Sequence, residues 1–206
     1  RTEEIQRFYR YGPASPTDTV HPVDDPDAVL VHVTPFNALM WDSGRTPTRV
    51  IEHGVTVPPG AVYQGGRDRG IVVANDLARR GRRLGADVFA DVRGRVPLDL
   101  VGMGADELGG LGEVPPPELP GFLAPYRFYF HTTRYTSLGL SLLEAMAVGL
   151  PVVGLATTEL VTVIESGRNG FIDTRPQRLV GVMRELLRQP GLAAEWGRAG
   201  QRTALV

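Results

Sequence analysis

The sequence predicts an α/β protein built on a doubly wound parallel sheet, with a remnant of a second unit ahead of it. Three observations predict this. From residue 70 onward, short β-branched or apolar runs alternate with helix-length segments. Alternation of that kind implies βαβ units, a parallel sheet and helices on both faces. Leu179, Met183, Leu186 and Leu187 fall at i, i+4, i+7 and i+8, one apolar stripe on a helix. Before residue 70 the pattern is sparser, too short for a sheet of its own.

In order, the first 27 residues are polar and Pro-rich after a short helical opening, Glu3 to Tyr11. Ala28–Val33 and Arg49–Ile51 read as short strands, the first of them buried. Gly60–Gly70 reads as a linker, Gly-rich and without periodicity. The strands of the main unit are then Gly70–Asn75, Leu98–Met103, Phe128–Thr132, Val152–Ala156 and Gly170–Asp173. Its helices are about Arg82–Val92, Pro116–Pro125, Leu138–Val148, Glu159–Ser166 and Gln177–Arg188. Two domains follow: residues 1–59, the end of one unit and a connecting segment, and residues 60–206, the sheet domain.

Composition excludes several chemistries. The 206 residues contain no Cys, so no disulfide framework, thiol nucleophile or thiolate zinc site. They contain no Lys either: all 22 basic residues are Arg, which removes Schiff-base chemistry and a P-loop lysine from this chain. The four His residues (His21, His32, His53, His131) lack HExxH spacing. A net charge of −1 argues against a dedicated nucleic-acid partner or a polybasic membrane anchor. The longest uncharged apolar stretch, Ala145–Thr158, is 14 residues, short of the roughly 20 needed to span a bilayer. No signal peptide opens the chain and it does not begin with Met, so it reads as a cytosolic protein and a piece of a longer one.

The most informative stretch runs from Arg134 to Val153 (RYTSLGLSLLEAMAVGLPVV). A strand ends near Thr133, a polar loop follows, and a helix opens around Leu138 or Gly139 with Ser137 as its expected N-cap. Free N–H groups at a helix start, at the positive end of its dipole, bind phosphate. Gly139 leaves room for an anion against the backbone. Glu144 lies about five residues in, roughly 7–8 Å along the axis. That suits a carboxylate accepting two hydrogen bonds from the ribose diol of the same nucleotide. The plainer reading is an exposed Glu. Its neighbours Leu142, Leu143, Ala145 and Met146 argue instead for a partner or a cleft.

This stretch resembles the E-x7-E signature of the retaining family-four (group 1) glycosyltransferases, which have the GT-B fold of two Rossmann-like domains. The family's first Glu falls on Thr136 and its second on Glu144. The resemblance implies that Glu144 holds the nucleotide ribose, that the Leu140 and Ser141 amides meet the diphosphate, and that Thr136 replaces a contact to the donor sugar. Ile71–Asn75 followed by Arg79-Arg80-Gly81 is similar to the family's Gly-Arg…Lys-Gly segment, with Asn75 for the Arg and Arg80 for the Lys. An Arg at that place can neutralise a diphosphate bidentately; the run Arg79, Arg80, Arg82, Arg83 also fits a solvated helix face. Leu98–Gly104 resembles the family's strand ending Val-Gly-x-Gly, which puts Gly104 at the donor. Glu107 occupies the third-glycine position of a dinucleotide fingerprint, so a dehydrogenase reading is weak. Leu111–Val114 resembles a Leu-Gly-x-Val turn whose backbone faces the base, which implicates Val114. Val161–Ile172 resembles the turn and helix after the signature, but Thr158–Thr162 departs from the family's Gly-Gly-x-Pro-Glu.

Two further motifs are set aside. Asp25-Pro-Asp27 has D-x-D spacing but no other candidate ligand nearby. His53, in Ile51–Val55, stands where the family has Asn and reads as structural.

The resemblance covers about residues 48–190, the donor-binding half. It implies transfer of a sugar from a nucleotide-diphosphate donor to an unidentified acceptor, with retention of configuration and without metal or other cofactor. It also implies a cytoplasmic location, with acceptors at the inner membrane surface among the options. No residue is a convincing general base, so this half is expected not to turn over by itself. Two rivals are an epimerase or phosphorylase of the same fold and a non-catalytic nucleotide-binding module. Thr136 and Asn75 discriminate: drift there weakens nucleotide binding, whereas retuning keeps it.

Overall fold

The computed structural model describes residues 17–204; the helical opening expected at Glu3–Tyr11 lies outside them. The chain divides into two compact units between His53 and Gly54. In the first, β1 (Leu30–His32) and β2 (Thr48–Val50) pair in parallel, Leu30 opposite Thr48. The connection carries α1 (Pro35–Met40), which the sequence reading did not contain. Its start has a helix-initiating pair: Thr34 Oγ1 accepts from the Asn37 N–H at 3.1 Å, and Pro35 takes the first helical position. The strand expected at Ala28–Val33 is shorter and not buried, since Val29 and Val31 are exposed.

The second unit opens with β3 (Arg67–Val73). Two helices follow, α2 (Leu77–Leu84) and α3 (Ala86–Arg93), then β4 (Leu98–Val101) and a 3-10 turn at Ala105–Leu108. Next come α4 (Leu119–Leu123), β5 (Tyr126–His131), α5 (Leu140–Val148), β6 (Val152–Leu155) and α6 (Leu160–Val163). The unit ends with β7 (Gly170–Asp173), α7 (Pro176–Arg188) and α8 (Pro190–Ala204).

All five strands are parallel, in the order β4-β3-β5-β6-β7. The sheet is buried on both faces. Phe128 and Phe130 of β5 join Phe89, Val153, Leu179 and Met183 on one side. Tyr129 joins Ile71, Leu142, Met146 and Val152 on the other. This is the period-two alternation of a strand covered twice. The expected fold class is thus the observed one.

Three expectations change. β3 begins at Arg67, inside the segment read as linker, because Arg67 pairs with Tyr126 of β5. The helix expected from Arg82 starts at Leu77 and breaks at Gly85, whose φ of +80° reverses the chain against Thr132. A Cβ there would overlap the Thr132 carbonyl oxygen. Finally, α8 is absent from the helices read off the sequence pattern. Its Ala193 and Trp196 are buried, and Gly197 lies so close to the Gly149 carbonyl that a side chain would not fit. Arg127 of β5 is buried yet satisfied. It donates to the carbonyls of Gly65 (2.7 Å) and Leu187 (2.8 Å) and pairs with Asp68.

Candidate functional site

Strand order reverses between β3 and β5: the chain moves from β3 outward to β4, then from β5 outward to β6 and β7. At such a switch point the loops leaving adjacent strands diverge and open a crevice at the carboxyl edge. A cavity of about 420 Å³ lies there, among residues that follow β3, β4 and β5 and the start of α5. It brings together Asn75, Arg80, Val114, Thr136, Gly139, Leu140, Ser141 and Glu144, eight of the nine residues singled out from the sequence. Gly104 is not among them. It opens the 3-10 turn with φ +69°, and Gly102 lines the cavity instead.

The start of α5 is built to leave amides free. Its N-cap is Gly139, not Ser137, and no side chain caps it. Gly139 has φ +98°, a conformation that favours glycine, and the space a Cβ would enter is open. The loop leading to it is anchored from behind. Arg134 forks onto Asp87 of α3 at 2.6 and 2.8 Å and also donates to the Arg82 carbonyl. The Arg134 and Tyr135 amides donate to the Arg83 carbonyl, and the Arg83 guanidinium lies over the Tyr135 ring. The Asp87 carboxyl is held below its usual pKa, first by the hydrogen bond from Arg134. The C-terminal end of α5 closes on Gly149, φ +99°, whose N–H returns to the Ala145 and Met146 carbonyls.

Glu144 is half-buried in a helix whose other residues from Leu142 to Val148 are buried. Burial raises its pKa. Neither a hydrogen bond nor an ion pair holds the carboxyl among the described residues. A desolvated carboxylate with no counter-group is unfavourable unless something completes it. Ser141, one turn earlier, meets the Tyr129 hydroxyl at 3.0 Å, and burial pushes that phenol up to about 12.

At the opposite wall, Asn75 Oδ1 accepts from the Met103 N–H at 3.0 Å, and the Asp76 N–H donates to the Met103 carbonyl at 2.7 Å. These bonds fasten the turn after β3 to the turn after β4. Asp76 has φ +55° and pairs with Arg79. Arg82 pairs with Asp87, so of the arginine run Arg80 is the member that lines the cavity. Asp25 and Asp27 belong to the first unit, where Asp25 Oδ1 accepts from the Asp27 N–H in a local turn. Among the described residues no group of three or more His, Asp or Glu is arranged to hold a metal ion.

Sequence reasoning missed the cavity wall formed by Tyr129, His131 and Thr133. The alternation along β5 was the available signal, since residues 129 and 131 must share a face. It also missed Asp87, separated by 47 positions from the Arg134 it clamps. The departure at Thr158 has a structural counterpart. This β-branched residue has φ +53°, an uncommon and strained conformation.

Fold and cavity define a doubly wound α/β domain with an uncapped helix start at its switch point. Residues 104–203 match the family described as Glycosyl transferases group 1, in agreement with the sequence resemblance. The fold agrees with solved structures. The sucrose-phosphate synthase of Thermosynechococcus elongatus superposes with a TM-score of 0.70 at 18% identity, over 86% of this chain and 53% of that one. Anabaena Alr3699/HepE, solved in complex with UDP, gives 0.68 at 18% identity, over 86% and 58%. The C-terminal domain of LpcC, a group 1 family protein of Francisella tularensis, gives 0.53 at 14% identity, over 66% and 84%. The chain therefore spans about half the length of the synthase and somewhat more of Alr3699/HepE. No curated protein sequence matches it. No helix among the described residues is long and apolar enough to cross a membrane.

Proposed function

We propose that the second unit is the donor-binding half of a glycosyltransferase and that its cavity receives a nucleotide-diphosphate sugar. The observation that carries this is the pairing, along one helix, of uncapped first-turn amides at Gly139–Ser141 with the unpartnered carboxyl of Glu144 about 7 Å further on. A diphosphate at the amides puts the ribose diol of the same nucleotide near Glu144. Arg80 supplies the full positive charge beside the dipole, and the segment at Val114 receives the base. Alr3699/HepE, which shares this fold, was solved with UDP-glucose.

In transfer, the bond from the anomeric carbon to the diphosphate breaks and negative charge grows on the leaving oxygen. Arg80 and the α5 amides are placed to stabilise that charge, and stabilisation that strengthens in the transition state raises the rate. Thr136 stands on the sugar side with a hydroxyl where the family has a carboxylate, which changes which sugar hydroxyls can be held. The family resemblance extends the proposal to retention of configuration and to a reaction without metal. The acceptor and the domain that binds it belong to the rest of the enzyme.

Calorimetric titration of the chain with UDP, GDP and ADP, in EDTA and again with magnesium, tests the reading. One of the three binds in EDTA. Absence of binding by all three to a folded sample overturns it.

A further inference from the structure

One buried polar group on the cavity wall has no part in the donor reading above. His131 ends β5, is 7% exposed and lines the cavity. Its ring makes no hydrogen bond among the described residues. A buried imidazole aimed into a cavity without a partner is an incomplete arrangement.

Its position relative to α5 indicates what completes it. Tyr129 and His131 project from the same face of β5, with ring centroids 6.3 Å apart and planes inclined by 21°. The Tyr129 hydroxyl reaches Ser141 in the first turn of α5. The step from Tyr129 to His131 runs toward the carboxyl edge of the sheet, the side on which Gly139 leaves open space before the free amides.

We propose that His131 is a further ligand of the phosphate group seated at the start of α5, donating a ring N–H to a phosphate oxygen. The inference rests on the donor-cleft reading. Burial alone lowers the ring to about 4 in the free protein, so it is neutral there. The other titratable or charged groups lining the cavity are Tyr129 on β5, Glu144 on α5, Arg80 on α2 and Glu113 after β4. An arriving phosphate favours the imidazolium, so binding takes up a proton. That proton adds a second positive charge beside Arg80, in a chain without Lys and with neutral Asn75 on the facing wall.

The test follows the His131 ring protons by NMR against pH, in the whole chain, free and saturated with inorganic pyrophosphate, UDP or uridine. Assignment comes from His131→Asn or, should that variant not fold, from substituting the other three histidines. The midpoint near 4 rises by about one unit or more with pyrophosphate and UDP and stays put with uridine. Folded His131→Asn binds UDP at least about five-fold more weakly at pH 4, where the free ring is half protonated, with uridine affinity unchanged. Phosphate titrates near 6 itself, and the variant carries that contribution unaltered. UDP bound with an unmoved midpoint overturns the role of His131 alone. Failure of UDP and pyrophosphate to bind overturns this inference; failure of every nucleoside diphosphate overturns the donor reading as well.

Discussion

Acid should destabilise the second unit through His131 in a defined window. The folded ring titrates at about 4 and the unfolded one at 6.5, because burial disfavours the charged form. Between those values the unfolded chain binds the proton that the folded chain refuses, so stability rises with pH there. The contribution is complete above pH 6.5, is lost progressively as pH falls, and is exhausted below about 4. A shift of this size is worth about 3 kcal/mol, at roughly 1.4 kcal/mol per unit. Burial is the cause of the shift. Other groups also favour the native state less in acid. Asp173 is held well below the usual carboxylate range, first by its hydrogen bonds from Arg175. A comparison of two proteins removes such background. Urea unfolding is followed by Trp196 fluorescence in a Trp41→Phe background, so the signal comes from the second unit. His131 protein and His131→Phe are measured at pH 7 and pH 4. The stability difference between them should change by about 3 kcal/mol over that range, with the His131 protein losing more. A difference that does not change with pH would refute the buried, neutral imidazole.

Three more outcomes follow from backbone and charge. Arg80→Ala should weaken diphosphates by about 1.5–3 kcal/mol while sparing nucleosides, measured by calorimetry; equal loss for both would remove Arg80 from the phosphates. Gly85→Ala should cost about 2–4 kcal/mol in urea unfolding, because φ is +80° and the Cβ meets the Thr132 carbonyl. Gly181→Ala on α7, where a Cβ meets nothing, should instead gain about 0.5–1 kcal/mol.

The sheet was legible because each strand is a short apolar run and each crossover has helix length. The helix at Leu140–Val148 was legible as an apolar run of helix length, and Glu144 stands out as the residue that interrupts it. What escaped was set by distant partners. Arg67 joins β3 through its pairing with β5, which a local Gly-rich composition conceals. The glycines of α8 erase its apolar stripe, yet Gly197 is there because the Gly149 carbonyl leaves no room for a side chain. Ser137 looked like a cap by residue type, whereas the loop geometry puts Gly139 at that position. His131 was visible only as one of four scattered histidines. Its burial and its place on the cavity wall depend on strand register, which sequence pattern does not supply.

Glu144 is the proposed ribose ligand, and its role is open to one direct measurement. The best-binding nucleoside diphosphate and its 2′,3′-dideoxy analogue should each be titrated into the chain and into Glu144→Ala. The substitution should cost about 1.5–3 kcal/mol for the natural nucleotide and nothing for the analogue, since the lost bonds are those to the diol. An unchanged affinity for the natural nucleotide, or the same loss for both, would contradict it.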